Sequence, residues 1–285
     1  MEFKEYYLND SKLPSPLTHI PDRPKELFWA GSSLDPLLAK PRVAIVGSRK
    51  VTAYGRHVTY QLARELAEYG VVVISGLALG VDSIAHSGAL EGGGKTIAVL
   101  PCSLDKIYPA SNTGLARRIV RHGGCLVSEY PRGSPFAFKY NFVARNRIIA
   151  GLSDAVLITE AAVDSGSLHT ADFALQQGRE VLVVPGNITS PTSAGTNNLL
   201  KMGATPVTSV VDVLRVLGIE PETVKTKQKS KVPEEQMILN LVQDGMHDGD
   251  RLLNHSGLTA TEFNQALTML EINGLIRPGG GNTWL

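Results

Sequence analysis

KYNFVARNRIIAGLSDAVLITEAAVDSGSLHT, from Lys139 to Thr170, indicates the fold class more clearly than the rest of the sequence. Its first part is predicted to be a helix, because apolar residues recur there at helical spacing. The run Ala155–Ala161 is short, apolar and rich in branched residues, which indicates a strand buried on both faces. Ser165–Ser167 can then turn the chain, with a serine as the N-cap of the next helix. Helix, buried strand and tight turn together are typical of an α/β protein with a parallel sheet.

The same alternation of strand, glycine turn and helix extends outward from this stretch on both sides. Apolar runs predict further strands at Val43–Val46, Val71–Ile74, Thr96–Leu100, Leu126–Ser128 and Val181–Val184. Helical patterns separate them, and Gly195–Gly203 and Val210–Leu217 are predicted to be late helices. This order predicts a Rossmann-like, doubly wound and mostly parallel sheet.

Four segments are predicted along the chain. Residues 1–41 form an arm punctuated by prolines, in which Leu27–Gly31 is expected to be an edge strand. Residues 42–218 form the Rossmann-like domain, and the polar, lysine-rich residues 219–232 form a linker. Residues 233–285 contain three short helical patterns followed by a glycine run, which predicts a small C-terminal winged-helix domain.

Composition is that of an ordinary globular protein. The chain has 285 residues, of which 43% are hydrophobic and 19% are charged, so a disordered or fibrous protein is excluded. No apolar run is long enough to cross a bilayer, and no membrane partner is expected. Its two cysteines follow neither metal-ligand nor redox spacing. These features predict a cytoplasmic protein.

Charge is distributed unevenly between residues 233–285 and the rest of the chain. From residue 233 to the end there are two basic and seven acidic residues, a net charge of −5. Because the whole chain carries +1, the residues before that point carry +6. The two parts are therefore expected to bind different partners.

An anion-binding surface is predicted from one face of the helix that begins near Lys139. Lys139, Phe142 and Asn146 share that face and offer an ammonium, a flat ring and an amide, which suit an unstacked base beside its phosphate. The alternative is that Phe142 belongs to the core and the charges form a solvated rim. Arg145 and Arg147 lie roughly 200° apart around a helix. One of them is therefore expected to be structural and to pair with Asp154 or Glu160.

Glycine and serine turns at strand ends complete the candidate surface, since such turns and helix N-termini favour anions. The candidate nucleic-acid-binding residues are Gly47, Ser48, Arg49, Gly76, Lys139, Phe142, Arg145, Asn146, Arg147, Ser165, Gly166 and Ser167. This set predicts binding of a phosphodiester or a nucleotide.

Motifs of catalysis and of cofactor binding are missing from the sequence. The turn at Gly47–Arg49 lacks GxGxxG, and no acidic residue ends the second strand, so a dinucleotide cofactor is disfavoured. Gly92–Thr96 resembles a Walker loop but precedes a strand instead of a helix. Asp82 and His86 lie one helical turn apart, and two ligands alone make no metal site. We expect no catalysis, no cofactor and no metal.

Several motifs, in their order and spacing, resemble those of the DprA (Smf) family of DNA-processing proteins. They are VAIVGSR at 43–49, SGLALGVDSIAH at 75–86, SEYPRG at 128–133, RNRIIAGLS at 145–153, EAAVDSGSLHTA at 160–171 and VPGNI at 184–188. The resemblance implies an extended Rossmann domain that binds single-stranded DNA, commonly as a homodimer. It also implies protection of incoming DNA in natural transformation (competence) and loading of the RecA recombinase, so DNA recombination.

Two other functions are compatible with the sequence. EAAVDSGSLHTA lies where nucleotide phosphoribohydrolases of Rossmann-like fold carry a glycine-rich loop and an acidic residue, so Glu160 could act on a nucleoside monophosphate, although Asp172 is an imperfect match for the second acid. A scaffold that docks an acidic protein is the third hypothesis. For the winged-helix domain, the net charge of −5 argues against duplex DNA and favours a protein contact or a fold-stabilising role.

Overall fold

The computed structural model of the 285-residue chain describes residues 3–135, 139–220, 230 and 232–284. The side chain of Lys139 and most of the predicted linker, 219–232, lie outside the described residues. The chain divides into two compact units, Met1–Glu220 and Pro221–Leu285.

One sheet of nine strands organises the described part of the first unit. The strand order is β1-β2-β6-β5-β4-β3-β7-β8-β9. All neighbours from β6 to β9 pair in parallel, whereas β1 with β2 and β2 with β6 are antiparallel. The strands are β1 (Glu5–Asn9), β2 (Glu26–Gly31), β3 (Arg42–Val46), β4 (Val72–Ser75), β5 (Thr96–Val99), β6 (Cys125–Ser128), β7 (Ala155–Ile158), β8 (Glu180–Val183) and β9 (Thr205–Pro206).

Helices cover both faces of this sheet, because successive residues of a strand point to opposite faces. Ala44 and Val46 of β3 join a core with Ile148, whereas Val43 and Ile45 join a separate core with Leu62. The predicted mostly parallel α/β fold is confirmed. The helices of this unit are α1 (Ser15–Thr18), α2 (Leu34–Leu38), α3 (Ala53–Glu68), α4 (Val81–Glu91), α5 (Thr113–Arg121), α6 (Lys139–Leu152), α7 (Leu168–Gln176), α8 (Ala194–Lys201) and α9 (Val210–Val216).

The arm contributes two strands, and the expectation that Leu27–Gly31 forms an edge strand is wrong. β2 lies between β6 and β1, so β1 is the outer strand. Tyr6 stacks on Trp29 with ring centroids 5.2 Å apart, and the ring centroids of Tyr7 and Phe28 are also 5.2 Å apart. Such cross-strand aromatic pairs stabilise a short strand that has no buried face of its own.

The second unit is a three-helix module with its own core. Its helices are α10 (Pro233–Gln243), α11 (Gly249–Ser256) and α12 (Ala260–Ile272). Ile238, Leu252 and Leu270 are fully buried together in this core. Two isolated antiparallel bridges, Asp248 with Thr283 and Pro278 with Trp284, follow the helices in the position of a wing. Three helices and this short β-structure match the predicted winged helix.

The order of the parallel strands reverses between β3 and β7. From β3 the chain passes to β4 on one side, whereas β7, on the other side, is reached only after β6. In open α/β sheets, ligands bind where the loops beyond two such strands part, at the carboxyl ends of the strands. The loops at that place are 47–52 and 159–167.

Candidate nucleic-acid interface

Three turns, residues 47–52, 76–80 and 159–167, meet at the carboxyl ends of β3, β4 and β7, and we call them the switch-point surface. The Ser48 amide donates to the Glu160 carbonyl at 2.7 Å, and the Val81 amide donates to the Ser48 carbonyl at 3.1 Å. A Cβ on Gly80, whose φ is +79°, would lie 2.2 Å from that same Ser48 oxygen. Gly80 is therefore required both for its backbone conformation and for the close approach of two turns.

Glu160 holds two of these turns together from beneath. Its side chain is buried, at 2% exposure. Its carboxylate accepts hydrogen bonds from the backbone amide of Thr52, at 3.0 Å, and from the Thr52 hydroxyl. Thr52 in turn caps α3 by accepting from the Gly55 amide at 3.1 Å. Because both groups of Thr52 bind this buried carboxylate, Glu160 acts as a structural acceptor.

Arg49 is the exposed cation of the switch-point surface, and it faces the Phe142 ring of α6. The Arg49 guanidinium carbon lies 5.2 Å from the centroid of the Phe142 ring. Tyr108 meets the same ring edge-on, with centroids 5.3 Å apart. Arg49 and its neighbour Lys50 are exposed, and Phe142 is partly buried. A cation over an aromatic ring, with a second ring beside it, can take a phosphate and a stacked base together.

Arg145 lies under the surface. Its Nη1 donates to the carbonyls of Gly76 and Val99, each at 2.6 Å, and its Nε donates to Asn146 Oδ1 at 3.2 Å. Burial lowers the pKa of this guanidinium to about 10. A Cβ on Gly76 would lie 2.1 Å from Nη1, so only glycine admits the arginine there. Arg145 ties the ends of β4 and β5 together.

Asp82 is the acid that faces this buried arginine. Its Oδ2 accepts from the Gly76 amide at 3.1 Å and from the Ala78 amide at 3.4 Å. Burial raises the pKa of the Asp82 carboxyl, and the charge of Arg145 opposes that rise. One turn later, His86 binds the Thr96 hydroxyl through Nδ1 at 2.6 Å. Both side chains are buried. Asp82 holds the 76–80 turn, and His86 joins α4 to β5.

Asn146 connects α6 to the turn before α7. Its Nδ2 donates to the Gly166 carbonyl at 3.2 Å. The hydroxyls of Ser165 and Ser167 are 2.8 Å apart and bind each other. Ser167 occupies the predicted N-cap position of α7, but its side chain caps no backbone amide. The Ser165–Ser167 turn is therefore shaped by Asn146 and by its own hydroxyls.

Arg147 points away from the switch-point surface, and the expected pairing of Arg145 or Arg147 with Asp154 or Glu160 is wrong. Its Nη2 lies 2.6 Å from Glu129 Oε2, and its Nε lies 3.2 Å from Asp22 Oδ2. Asp154 pairs instead with Arg42. Arg147 thus joins α6 to the loop after β6 and to the arm.

Most of the predicted residues meet at the switch-point surface. Arg49 reaches Phe142, Gly76 contacts Arg145, and Asn146 reaches the turn at Gly166. The Lys139 side chain lies outside the described residues, and Arg147 is engaged elsewhere. Sequence reasoning missed Tyr108 and Lys50. Lys50 directly follows the VGSR motif, whereas nothing local to the sequence around Tyr108 places its ring against Phe142.

Among residues 3–135, 139–220, 230 and 232–284, no group of three or more His, Cys, Asp or Glu side chains is arranged to hold a metal ion. None of the helices in the part of the chain that the structure describes combines the length and the hydropathy needed to cross a bilayer.

Two family models match the chain. The model described as DNA recombination-mediator protein A matches residues 4–218, and the model described as DprA winged helix domain matches residues 213–282. Protein Smf of Escherichia coli (strain K12) is 39% identical over 279 residues, which cover 94% of this chain and 74% of that protein. DNA processing protein DprA of Streptococcus pneumoniae is 42% identical over 213 residues, covering 75% of this chain and 74% of that protein.

Solved structures with the same fold include two DNA processing proteins. One, from Helicobacter pylori, is described for its unique single-stranded DNA binding mode. It has a TM-score of 0.67 and 37% identity, and the match covers 75% of this chain and 96% of that chain. The other is the X-ray structure of DprA from Streptococcus pneumoniae, with a TM-score of 0.67, 41% identity, and coverage of 75% of this chain and 74% of that one.

Proposed function

Since the chain belongs to the DprA (Smf) family of DNA-processing proteins, we propose that it binds single-stranded DNA at the switch-point surface and acts as a recombination mediator. In this role it protects incoming DNA during natural transformation and loads the RecA recombinase onto it. The observation that carries the DNA site is the exposed Arg49 guanidinium 5.2 Å from the Phe142 ring, at the point where the strand order reverses.

The chemistry of this surface suits a single strand better than a duplex. A base can stack on a protein ring only if one face of the base is free. In a duplex both faces are covered by neighbouring bases, whereas a base of a single strand can leave the stack. Arg49 and Lys50 supply exposed positive charge for the phosphates. The Helicobacter pylori relative, described for a single-stranded DNA binding mode, supports the same assignment.

A binding titration tests the DNA site. Fluorescence anisotropy of a labelled oligothymidine is followed for the wild type, for Arg49→Ala and for Arg64→Ala at two salt concentrations. Arg64 is the matched control, since it is half-exposed on α3 and its ion pair with Glu68 is local. We expect Arg49→Ala to weaken binding about tenfold and to reduce the salt dependence, because one phosphate contact changes the logarithmic slope by about 0.7. Equal binding by the two variants would remove Arg49 from the site.

RecA loading and dimer formation are proposed from the family membership. We expect RecA assembly on an oligonucleotide coated with single-strand-binding protein to be faster when the wild-type chain is added than when Arg49→Ala is added. Light scattering is expected to give the mass of a homodimer. Unchanged RecA assembly with a chain that binds DNA would refute the mediator role and leave the DNA site standing.

We further propose that the chain is not a nucleotide hydrolase. Glu160, the one acid matched to those enzymes, is buried and accepts two hydrogen bonds from Thr52. A general acid or base must reach the atom that it protonates or deprotonates. We expect no free base to be released from nucleoside monophosphates, and release that depends on Glu160 would contradict this.

A further inference from the structure

A groove separate from the switch-point surface lies between α3, α4 and the start of α5. Its volume is about 670 Å³, which falls within the range of small-molecule sites. The side chains that line it are Arg56, His57, Tyr60, Ser87, Asn112 and Arg118, together with four smaller or apolar residues.

Charge in this groove is of one sign. Arg56 and Arg118 are exposed, and no acidic side chain is among the lining residues. Within the described part of the chain, neither guanidinium has an ion pair or a side-chain hydrogen bond. Elsewhere in this unit, buried arginines are engaged, as Arg147 is with Glu129. Two unengaged guanidinium groups at one groove favour a phosphate, which they can bind through paired hydrogen bonds.

The remaining lining groups suit a base. Tyr60 is 37% exposed, so part of its ring face is open for stacking. Asn112 donates its Nδ2 to the Leu77 carbonyl at 2.8 Å and to the Ala78 carbonyl at 3.3 Å. Its amide is thereby fixed, and its Oδ1 accepts no hydrogen bond from a described residue. A fixed amide beside an aromatic ring offers polar and stacking contacts to one heterocycle.

We propose that this groove binds a phosphorylated nucleoside, with the phosphate at Arg56 and Arg118 and the base at Tyr60. The phosphorylated nucleoside is either a nucleotide of the bound DNA strand or a free nucleotide. The groove borders the switch-point surface, because α3 follows the 47–52 turn and Asn112 holds the 76–80 turn. A strand leaving that surface can therefore continue into the groove. In this strand-bound form the inference rests on the proposed function.

The test compares Arg56→Ala/Arg118→Ala with Arg117→Ala/Arg121→Ala. The control removes the same charge from exposed positions of α5 that do not line the groove. Each protein is titrated with oligothymidines of about 4 and about 16 nucleotides, the limits of single-strand site sizes, and with adenosine monophosphate. If the groove binds a nucleotide of the DNA strand, Arg56→Ala/Arg118→Ala (the groove variant) is expected to bind the longer oligonucleotide about tenfold more weakly. The slope of the logarithm of affinity against the logarithm of salt concentration should decrease by about 1.4. Its binding of the shorter one is unchanged.

For the free-nucleotide source, the groove variant loses adenosine monophosphate binding and keeps both oligonucleotides. The adenosine monophosphate titration tests the groove even if the wild type binds no oligonucleotide. Failure of the proposed function can therefore be distinguished from failure of this inference. In the arm that responds, Tyr60→Leu is expected to weaken binding about fivefold. The inference is overturned if the groove variant matches the control in every arm, or if it loses the short and long oligonucleotides equally.

Discussion

Glu160 would be a structural hydrogen-bond acceptor in a DNA-binding protein and a catalytic acid or base in a nucleotide hydrolase. As a structural acceptor it satisfies the amide and the hydroxyl of Thr52. We predict that Glu160→Ala lowers the free energy of unfolding by about 3 kcal/mol, because two partly buried donors of Thr52 lose their acceptor. Urea denaturation measures this. Asp164→Ala, on the exposed part of the same turn, is the control and should change stability by less than about 0.5 kcal/mol. A Glu160→Ala protein as stable as this control would contradict the structural role.

His86 makes the stability of the fold depend on pH. Burial, and secondarily the charge of Arg145, lowers its pKa from 6.5 to about 3. The unfolded chain therefore takes up a proton near pH 6.5 that the folded chain refuses, so stability is lost as pH falls below that value. The raised pKa of Asp82 acts in the opposite direction.

We predict that His86→Leu flattens this pH dependence. The slope of unfolding free energy against pH, between pH 6 and pH 4.5, should decrease by up to about 1.4 kcal/mol per pH unit relative to wild type. Asp82 is present in both proteins, and the Thr96 hydroxyl keeps the Val73 carbonyl as its acceptor. Parallel curves for the two proteins would show that His86 titrates normally in the fold.

At the scale of elements, Arg147 links α6 to the segments around Glu129 and Asp22. The Arg147 and Glu129 side chains are 7% and 14% exposed. We predict that Arg147→Ala lowers the free energy of unfolding by about 3 kcal/mol, since the mostly buried Glu129 carboxylate then loses the positive charge that pairs with it. Arg23→Ala removes an ion pair of the same arm whose members are 48% and 50% exposed, and should cost less than about 1 kcal/mol. Thermal and urea denaturation of both variants check this, and equal losses would contradict it.

The elements predictable from sequence are those with strong local patterns. β3 to β8 are short apolar runs, and α3 to α7 follow the helical period, so their types and order were deduced correctly. β1 could not be deduced, because Tyr6 and Tyr7 are held by rings of β2 about twenty residues away. The same limit applies to the site. Arg49, Phe142 and Asn146 were recognised as candidates, but the burial of Arg145 and the partners of Arg147 depend on contacts between distant elements.

At the scale of the whole molecule, we propose that the units before and after residue 220 are independent domains. Limited proteolysis should cut first within 219–232, because that segment is polar and lysine-rich. The fragment 1–220 is expected to bind single-stranded DNA as the full chain does, since the switch-point surface lies within it. A fragment with less than about a tenth of the full-chain affinity would contradict this division of function.

The C-terminal domain is predicted not to bind duplex DNA. Its two basic and seven acidic residues give it a charge of −5, and α12 carries Glu262 and Glu271 and no lysine or arginine. Contacts between basic side chains and phosphates supply most of the non-specific affinity for DNA. The negatively charged C-terminal domain is therefore expected to repel DNA. Titration of residues 233–285 with labelled duplex at moderate salt checks this, and saturable binding would contradict it.

The position of the bound DNA strand can be measured by photocrosslinking an oligonucleotide that contains 5-iodouracil to the wild-type chain and identifying the attached peptide. If the strand lies on the switch-point surface, a base contacts the Phe142 ring, and the crosslinked peptide should contain Phe142 or the adjacent Tyr108. Phe142→Leu should remove the crosslink at that position. Crosslinks confined to the C-terminal domain, or to peptides that contain neither ring, would contradict the assignment of the DNA site.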